Sequence, residues 1–232
     1  MIHFIHVSKS YPGGHVALDD ICLSVDRGEF VVISGPSGAG KSTLLKAITF
    51  EVLPDRGEVI VESFRSAALK RRDIPQLRRQ LGVIYQDFKL LKDRTIFENV
   101  AFALRITGID HPRAIKERTL RALHRVGLAH RRHAHPRELS GGEQQRAGLA
   151  RAIVLDPLYL LADEPTGNLD PRAGDELFAL LREVNLAGTG VIVVTHGAGR
   201  ADPRRDRLVH IENGIARELP RPLRHAAGGT GT

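Results

Sequence analysis

One cysteine in 232 residues, Cys22, has no partner for a disulfide within the chain and fits a reducing compartment. Its neighbours Ile21, Leu23 and Val25 read as a strand, where Cys22 is expected as a small buried hydrophobe. No apolar run approaches the roughly 18–20 residues that cross a bilayer as a helix. The opening residues Met1-Ile2-His3-Phe4-Ile5-His6-Val7 lack the basic start and apolar stretch of a secretory leader and read instead as a strand. The chain is therefore expected in the cytoplasm. Internal repeats are missing, and so is any Cys-x-x-Cys pair. In His130-Arg131-Arg132-His133-Ala134-His135 guanidinium groups stand between the imidazoles, with no cysteine or obvious carboxylate to complete a ligand set. That segment reads as basic surface, suited to anionic headgroups, and not as a metal site.

Positive charge is what the chain has in excess, with 34 Lys and Arg against 27 Asp and Glu and a formal charge of +7. Such a balance suits an anionic partner: a nucleotide, a nucleic acid or an acidic membrane surface. Much of it is concentrated around 70–79 and 111–137, where the plainer reading is a solvated helix face. The ordinary proportions of 42% hydrophobic and 26% charged residues exclude a disordered chain.

Short β-rich runs alternate with longer helical ones, the pattern of a largely parallel sheet covered by helices. Strands are expected at 2–7, 21–25, 30–34, 58–61, 82–85, 159–162, 191–195 and 208–211. Helices are expected to start at Lys41, near Pro75, near Thr95, at Pro112, at Gly142 and at Pro171. Proline suits the first helical turn, where its missing N–H has no intrahelical partner to lose. Ile115, Leu120, Leu123 and Val126 form an approximate apolar stripe with basic residues opposite. The stretch 88–137 shows helix signals and no strand, so a helical lobe inserted into a single domain over 1–219 is expected. The tail 220–232, rich in Pro, Gly, Ala and Arg, is expected to be disordered.

The strongest chemical signal is Gly35-Pro36-Ser37-Gly38-Ala39-Gly40-Lys41-Ser42-Thr43. It fits G-x-x-x-x-G-K-[ST] between an apolar strand and a helix, the context a phosphate loop requires. Its glycines let backbone N–H groups turn inward around phosphate oxygens at a helix N-terminus. Lys41 then reaches the β- and γ-phosphates, and the Ser42 hydroxyl is placed to ligate Mg²⁺. Downstream, Tyr159-Leu160-Leu161-Ala162 runs into Asp163-Glu164. A buried parallel strand delivers its last residues to the crevice where open α/β sheets bind ligands. Asp163 is expected to support Mg²⁺, and Glu164 to orient an attacking water and take its proton.

Leu139-Ser140-Gly141-Gly142-Glu143-Gln144-Gln145-Arg146 is similar to the LSGGQ-type signature of ABC ATPases, with Glu143 where many members carry Gln. With the phosphate loop, this resemblance spans about 2–217. It implies a P-loop NTPase core with a mostly parallel sheet, an antiparallel β subdomain and an inserted α-helical subdomain. The resemblance also implies ATP and Mg²⁺ as ligands, and a homodimer in which the signature of one copy closes on the other copy's nucleotide. Tyr11 resembles the aromatic that stacks on adenine, Gln86 the glutamine that touches Mg²⁺ and couples to the helical lobe, Asn168-Leu169-Asp170 the loop across the dimer, and His196 the histidine at the γ-phosphate. Two positions depart from the family pattern. Gly197-Ala198-Gly199 follows His196 where an acid or Asn is usual, and Phe50 stands where glycine is common.

Within the family, 11–14, 77–82 and above all Tyr85-Gln86-Asp87-Phe88-Lys89-Leu90-Leu91 through Thr95 resemble the FtsE family of bacterial cell-division ATPases. That resemblance implies an FtsX-like transmembrane subunit as partner and a place on the cytoplasmic face of the bacterial inner membrane. Lipoprotein-release and macrolide-export ATPases are the alternative. A DNA-handling ABC ATPase would carry a long coiled-coil or zinc-bearing insertion, but Lys41 and Ser140 are only 99 positions apart. No nucleic acid partner is expected.

Overall fold

The computed structural model describes residues 1–70 and 72–220. The tail expected to be disordered lies, beyond Pro220, outside the described residues. Two sheets organise the chain. In order, the elements are β1 (Ile2–Tyr11), β2 (His15–Val25), β3 (Phe30–Ser34), α1 (Lys41–Ile48), β4 (Arg56–Val61), β5 (Phe64–Arg65), α2 (Ile74–Arg79) and β6 (Leu81–Ile84). There follow α3 (Ile96–Ile106), α4 (Pro112–Arg125), α5 (Gly141–Ile153), β7 (Tyr159–Asp163), α6 (Pro171–Leu186), β8 (Gly190–Thr195), β9 (Arg207–Glu212) and β10 (Ile215–Glu218).

An antiparallel four-stranded sheet has the order β2-β1-β4-β5, and a six-stranded sheet the order β10-β9-β3-β8-β7-β6. In the larger sheet only the edge pair β9–β10 is antiparallel. Its central strands β3, β7 and β8 are buried on both faces, as parallel strands require. The period of two sorts their side chains into two cores. Val32, Leu160, Ala162, Val191 and Val193 pack with α3 to α6, while Val31, Ile33, Leu161, Ile192 and Val194 pack with α1 and the antiparallel sheet. Each fully buried Val, Leu or Ile contributes roughly 1.5–3 kcal/mol.

Every strand expected from the sequence is present, most with slightly longer bounds. The largest extension is at β1 and β2, which run on to a tight hairpin through Gly13 (φ +95°) and Gly14 (φ +82°). Strands β5 and β10 were not anticipated. For β10 the signal was present: Asn213 (φ +50°) and Gly214 (φ +78°) form the Asn-Gly turn of a two-residue hairpin. Between β6 and β7 the described residues hold helices only. On α4 the apolar stripe is buried at Ile115 and Leu123 and half-buried at Leu120.

Cys22 departs from expectation, being exposed. At this end of the strand Ile21, Leu23 and Val25 face the core, and Cys22 lies on the other face between Ile21 and Leu23. Phe50, where the resemblance implies glycine, sits at φ +52° just past the end of α1, in the left-handed cap conformation that glycine adopts without cost. Here the aromatic ring is buried in the core, which offsets that backbone cost.

The two sheets are tied by Glu62, which follows β4. Its carboxylate accepts hydrogen bonds from the Met1 amino group, from Arg27 (Nε, 3.0 Å) and from the Tyr159 hydroxyl at 2.9 Å. The Arg27 hydrogen bond is the largest of the causes that hold the Glu62 carboxyl down to about 2. The ordinary carboxyl value is about 4.3, so this contribution is complete above that pH and is lost as the pH falls towards 2. Wild type should therefore melt above Glu62→Gln at pH 7, with the gap closing between about pH 4.3 and 2. Thermal melts across that range check this, and a gap independent of pH would contradict it.

Candidate functional site

The loop after β3 is shaped by two close approaches. A Cβ at Gly35 would lie 2.0 Å from the Ile211 carbonyl oxygen, and one at Gly40 (φ +103°) would lie 2.0 Å from that of Ala17. Only glycine fits either place. Helix α1 begins at once with no side-chain cap and no acid in its first turn. In contrast α3, α5 and α6 are capped by Thr95, Ser140 and Asp170. The first N–H groups of α1 are thus left to a ligand, at the positive end of the helix. Lys41 is buried, and its ammonium donates to the carbonyls of Gly35 and Pro36, each at 2.8 Å. Ser37, Gly38, Gly40, Lys41, Ser42, Thr43 and Glu164 line a cavity of about 170 Å³ together with His15 and Ala17 of β2.

Neighbouring strands bring the acids and the histidine to this loop. β7 ends at Asp163, whose Oδ1 accepts from the Ser42 hydroxyl at 3.0 Å. Glu164 adopts φ +45° while its N–H donates to the Val194 carbonyl at 2.9 Å, so the ladder continues as the chain turns. The turn sends its carboxylate elsewhere than that of Asp163. One oxygen lies 3.8 Å from Lys41 Nζ, and the other 2.7 Å from Nε2 of His196, which follows β8. The glycines after His196 do not leave that loop untied: the Thr195 hydroxyl donates to the Gly197 carbonyl at 3.2 Å and accepts from the Gly197 N–H at 3.4 Å.

Tyr11, at the end of β1, reaches α1, its hydroxyl 3.4 Å from that of Thr43. Gln86 lies just past β6, and its main-chain carbonyl accepts from Asn168 Nδ2 at 3.1 Å. A cavity of about 550 Å³ brings Ser42, Gln86, Asp163 and Asn168 together. Their hydroxyl, carboxylate and amide oxygens form a hard donor set that suits Mg²⁺.

The signature residues sit apart, and Asn168 lies between them and the Ser42 cavity. Ser140 caps α5 in a reciprocal box: its hydroxyl accepts from Glu143 N at 3.3 Å, and the Glu143 carboxylate accepts from Ser140 N at 2.8 Å. That backbone bond, with Arg131 beside it at 3.3 Å, holds the Glu143 carboxyl below the usual range. Leu139 is buried beneath the helix start. Ser140, Gly141 and Gly142 face Asn168, Leu169 and Asp170 across a separate cavity of about 300 Å³. One chain thus assembles the phosphate loop, Tyr11, Gln86, Asp163, Glu164 and His196. Ser140, Gly141 and Gly142 line neither of the two cavities beside that loop.

Two residues of α5 were not anticipated. Gln145 is fully buried and donates to the carbonyls of Pro165 at 2.8 Å and Tyr85 at 3.3 Å, joining the segments that carry Glu164 and Gln86. Arg151 donates to the carbonyls of Phe88 (3.0 Å) and Lys89 (2.5 Å), two successive residues at φ +59° and +45°. The available signal was a polar side chain inside an otherwise Ala-, Gly- and Leu-rich helical face.

The ABC transporter family matches residues 18–167. The cell division ATP-binding protein FtsE of Bacillus subtilis is 46% identical over 93% of this chain and 94% of its own length. That of Escherichia coli is 43% identical over 94% of this chain and 100% of its own. A dimeric ATP-binding cassette, MJ0796, solved in a post-hydrolysis state bound to ADP and Pi, has a TM-score of 0.86 at 33% identity, covering 96% of this chain and 99% of that one.

Gln145→Leu keeps the volume of a buried side chain but orphans the Pro165 carbonyl, at a cost of about 1–3 kcal/mol, and leaves the Tyr85 carbonyl only the Phe88 N–H at 3.2 Å. Because those carbonyls flank the Glu164 and Gln86 segments, kcat for ATP should fall more than KM rises. Melting curves and steady-state ATPase assays check this. Unchanged Tm together with unchanged kcat would refute it.

Proposed function

Because the chain belongs to the ABC transporter family, we propose that it is the ATP-hydrolysing subunit of an FtsE-type complex acting in bacterial cell division. It binds ATP and converts ATP and water to ADP and phosphate. The support that carries this reading is one carboxylate with two partners: Glu164 lies between Lys41 and His196, at the mouth of a loop built for phosphate. Its FtsE relatives, 43–46% identical over nearly their whole length, favour cell division over lipoprotein release or macrolide export.

In the proposed reaction the loop N–H groups and Lys41 hold the β- and γ-phosphates, and Tyr11 stacks on adenine. Glu164 accepts the proton of a water attacking the γ-phosphorus in line, while His196 fixes the orientation of that carboxylate. Ser42 and Asp163, with Gln86 beside them, would hold Mg²⁺, which when bound neutralises charge on the phosphate oxygens. Two copies sandwich the nucleotides, so that Leu139, Ser140, Gly141, Gly142 and Glu143 of one copy, with Asn168, Leu169 and Asp170, meet the nucleotide of the other. The N-terminal end of α5, although capped by Ser140, still offers a γ-phosphate the positive end of the helix and the N–H groups of Gly141 and Gly142.

The membrane partner is an FtsX-like transmembrane subunit, which would hold this chain on the cytoplasmic face of the membrane. Among the described residues no helix is long and apolar enough to cross a membrane. A groove of about 510 Å³ between α2, α3 and the segment after β6 is lined by Leu81, Tyr85, Leu91, Phe102, Ile106 and Leu155, with Arg78 and Arg79 at its rim. Phe102 and Ile106 are 44% and 66% exposed. This groove accepts an apolar cytoplasmic helix of the membrane subunit, and Arg151 at its base joins it to α5.

Glu164→Gln should lower single-turnover hydrolysis by about 10²–10⁴-fold and accumulate an ATP-bound dimer on size exclusion; wild-type turnover in this variant would remove the role of Glu164. Phe102→Asp with Ile106→Asp should abolish co-purification with the membrane subunit and leave ATP affinity unchanged, as a pull-down and a nucleotide titration would report. Retained co-purification would exclude the groove as the docking site.

A further inference from the structure

The antiparallel sheet carries a cluster that the nucleotide chemistry does not use. His6, Asp20 and Cys22 meet on its exposed face, with one potential ligand atom from each all within 4.8 Å of one another. His6 Nδ1 lies 2.9 Å from Asp20 Oδ1 and 3.6 Å from Cys22 Sγ. A single ring nitrogen thus faces both a carboxylate oxygen and a sulfur, and one proton on it serves only one of them.

Two β-bulges create this meeting. Phe4 pairs with Leu23 and Val7 with Ile21, so Ile5 and His6 oppose Cys22 alone; Lys9 then pairs with Leu18, so Asp19 and Asp20 oppose Ser8 alone. Simple alternation would send His6 to the buried face, since Phe4 is buried. The bulge residues His6 and Asp20 instead adopt φ +50° and +49°, and both project outward beside Cys22, 71% and 69% exposed. Re-aiming a side chain is a recurring use of such bulges.

We propose that His6, Asp20 and Cys22 form a binding site for a thiolate-preferring divalent cation, Zn²⁺ in the first instance. The donor set, one imidazole, one thiolate and one carboxylate, is of the N/S/O type that Zn²⁺ takes. Zn–N of about 2.0–2.1 Å and Zn–S of about 2.3 Å at a tetrahedral angle place nitrogen and sulfur about 3.5 Å apart, close to the 3.6 Å separation of His6 and Cys22. On binding, the Cys22 thiol loses its proton to solvent as the metal–sulfur bond forms, and the two anionic donors balance the charge of the cation. The exposed fourth position is open to water or to a donor from another molecule. Such a cation would staple β1 to β2 in the hairpin that carries Tyr11 at its turn.

The test is titration of the untagged full chain with Co²⁺, then displacement with Zn²⁺. The expected result is one equivalent showing a thiolate-to-cobalt charge-transfer band in the near ultraviolet, with tetrahedral d–d absorption, both removed by one equivalent of Zn²⁺. Cys22→Ser should abolish the band, and His6→Ala and Asp20→Asn should each weaken Co²⁺ binding by at least tenfold. The three side chains are exposed, and unchanged ATP affinity in each variant confirms its fold. Absence of the band in wild type, or its persistence in Cys22→Ser, would overturn the proposal and leave an exposed cross-strand hydrogen-bonded pair beside a free thiol.

Discussion

The phosphate loop leaves β3 pressed against two carbonyls, that of Ile211 on β9 beside Gly35 and that of Ala17 on β2 beside Gly40. This double contact is the constraint on which the rest depends. It clamps the loop between the parallel sheet and the antiparallel one, so the backbone that must face an anion has no freedom to close on itself. It also explains why two sheets are needed. The larger supplies the strand that enters the loop, and the smaller supplies the wall against which α1 starts. Glu62 reinforces the same junction from the opposite end, tying β4 to Tyr159 at the start of β7.

Once the loop is fixed, the register of β3, β8 and β7 decides what faces it. Ser34 pairs with Thr195, and Val194 with Asp163, so the first residues beyond β7 and β8 emerge side by side. Glu164 and His196 are those residues. The left-handed backbone of Glu164 is the one strained non-glycine position in this group, and strain of this sort costs of order 1–3 kcal/mol. It persists because the Glu164 N–H still bonds β8 while the side chain bonds His196. An ordinary strand conformation would alternate Glu164 to the side opposite Asp163 with no such turn toward Lys41. The strain is the geometric means of giving adjacent acids different neighbours.

Much of this was legible because it depends on local chemistry. Glycines at fixed offsets, a strand ending in Asp-Glu and a serine opening a glycine-rich helix each carry their own physical reason, and the strands that deliver them are apolar enough to read. What escaped depends on contacts distant in sequence. Gln145 looks like any helical glutamine until β6 and Pro165 are placed against it, and Arg151 gains its meaning from Phe88 and Lys89 some 60 positions away. The exposure of Cys22 is legible after all: Ile21, Leu23 and Val25 alternate with Cys22 and Ser24, so a strand with one covered face puts the sulfur on the other, and composition alone misleads. The bulges at His6 and Asp20 have no sequence signature, since neither residue is glycine. At Phe50 the departure from glycine was visible, but its consequence was not: the ring's burial in the core outweighs the left-handed backbone it occupies.

The signature segment poses an electrostatic problem whose answer lies in Arg131. In the proposed two-copy site, the start of α5 meets a triphosphate, yet Ser140 shares its N–H and hydroxyl with a carboxylate where many relatives have a neutral amide. An anion brought against an anion loses much of what the helix terminus supplies, and in a water-poor interface the repulsion is larger still. Arg131 lies 3.3 Å from Glu143 and also donates to the Glu138 carbonyl at 2.9 Å, so its guanidinium is held in place by two contacts. The Glu143 carboxyl stays ionised, and its charge is met locally. The N–H groups of Gly141 and Gly142, with no partner inside the helix, then keep their capacity for phosphate. An acid at position 143 is thus compatible with the proposed role of α5 because an arginine outside the signature accompanies it.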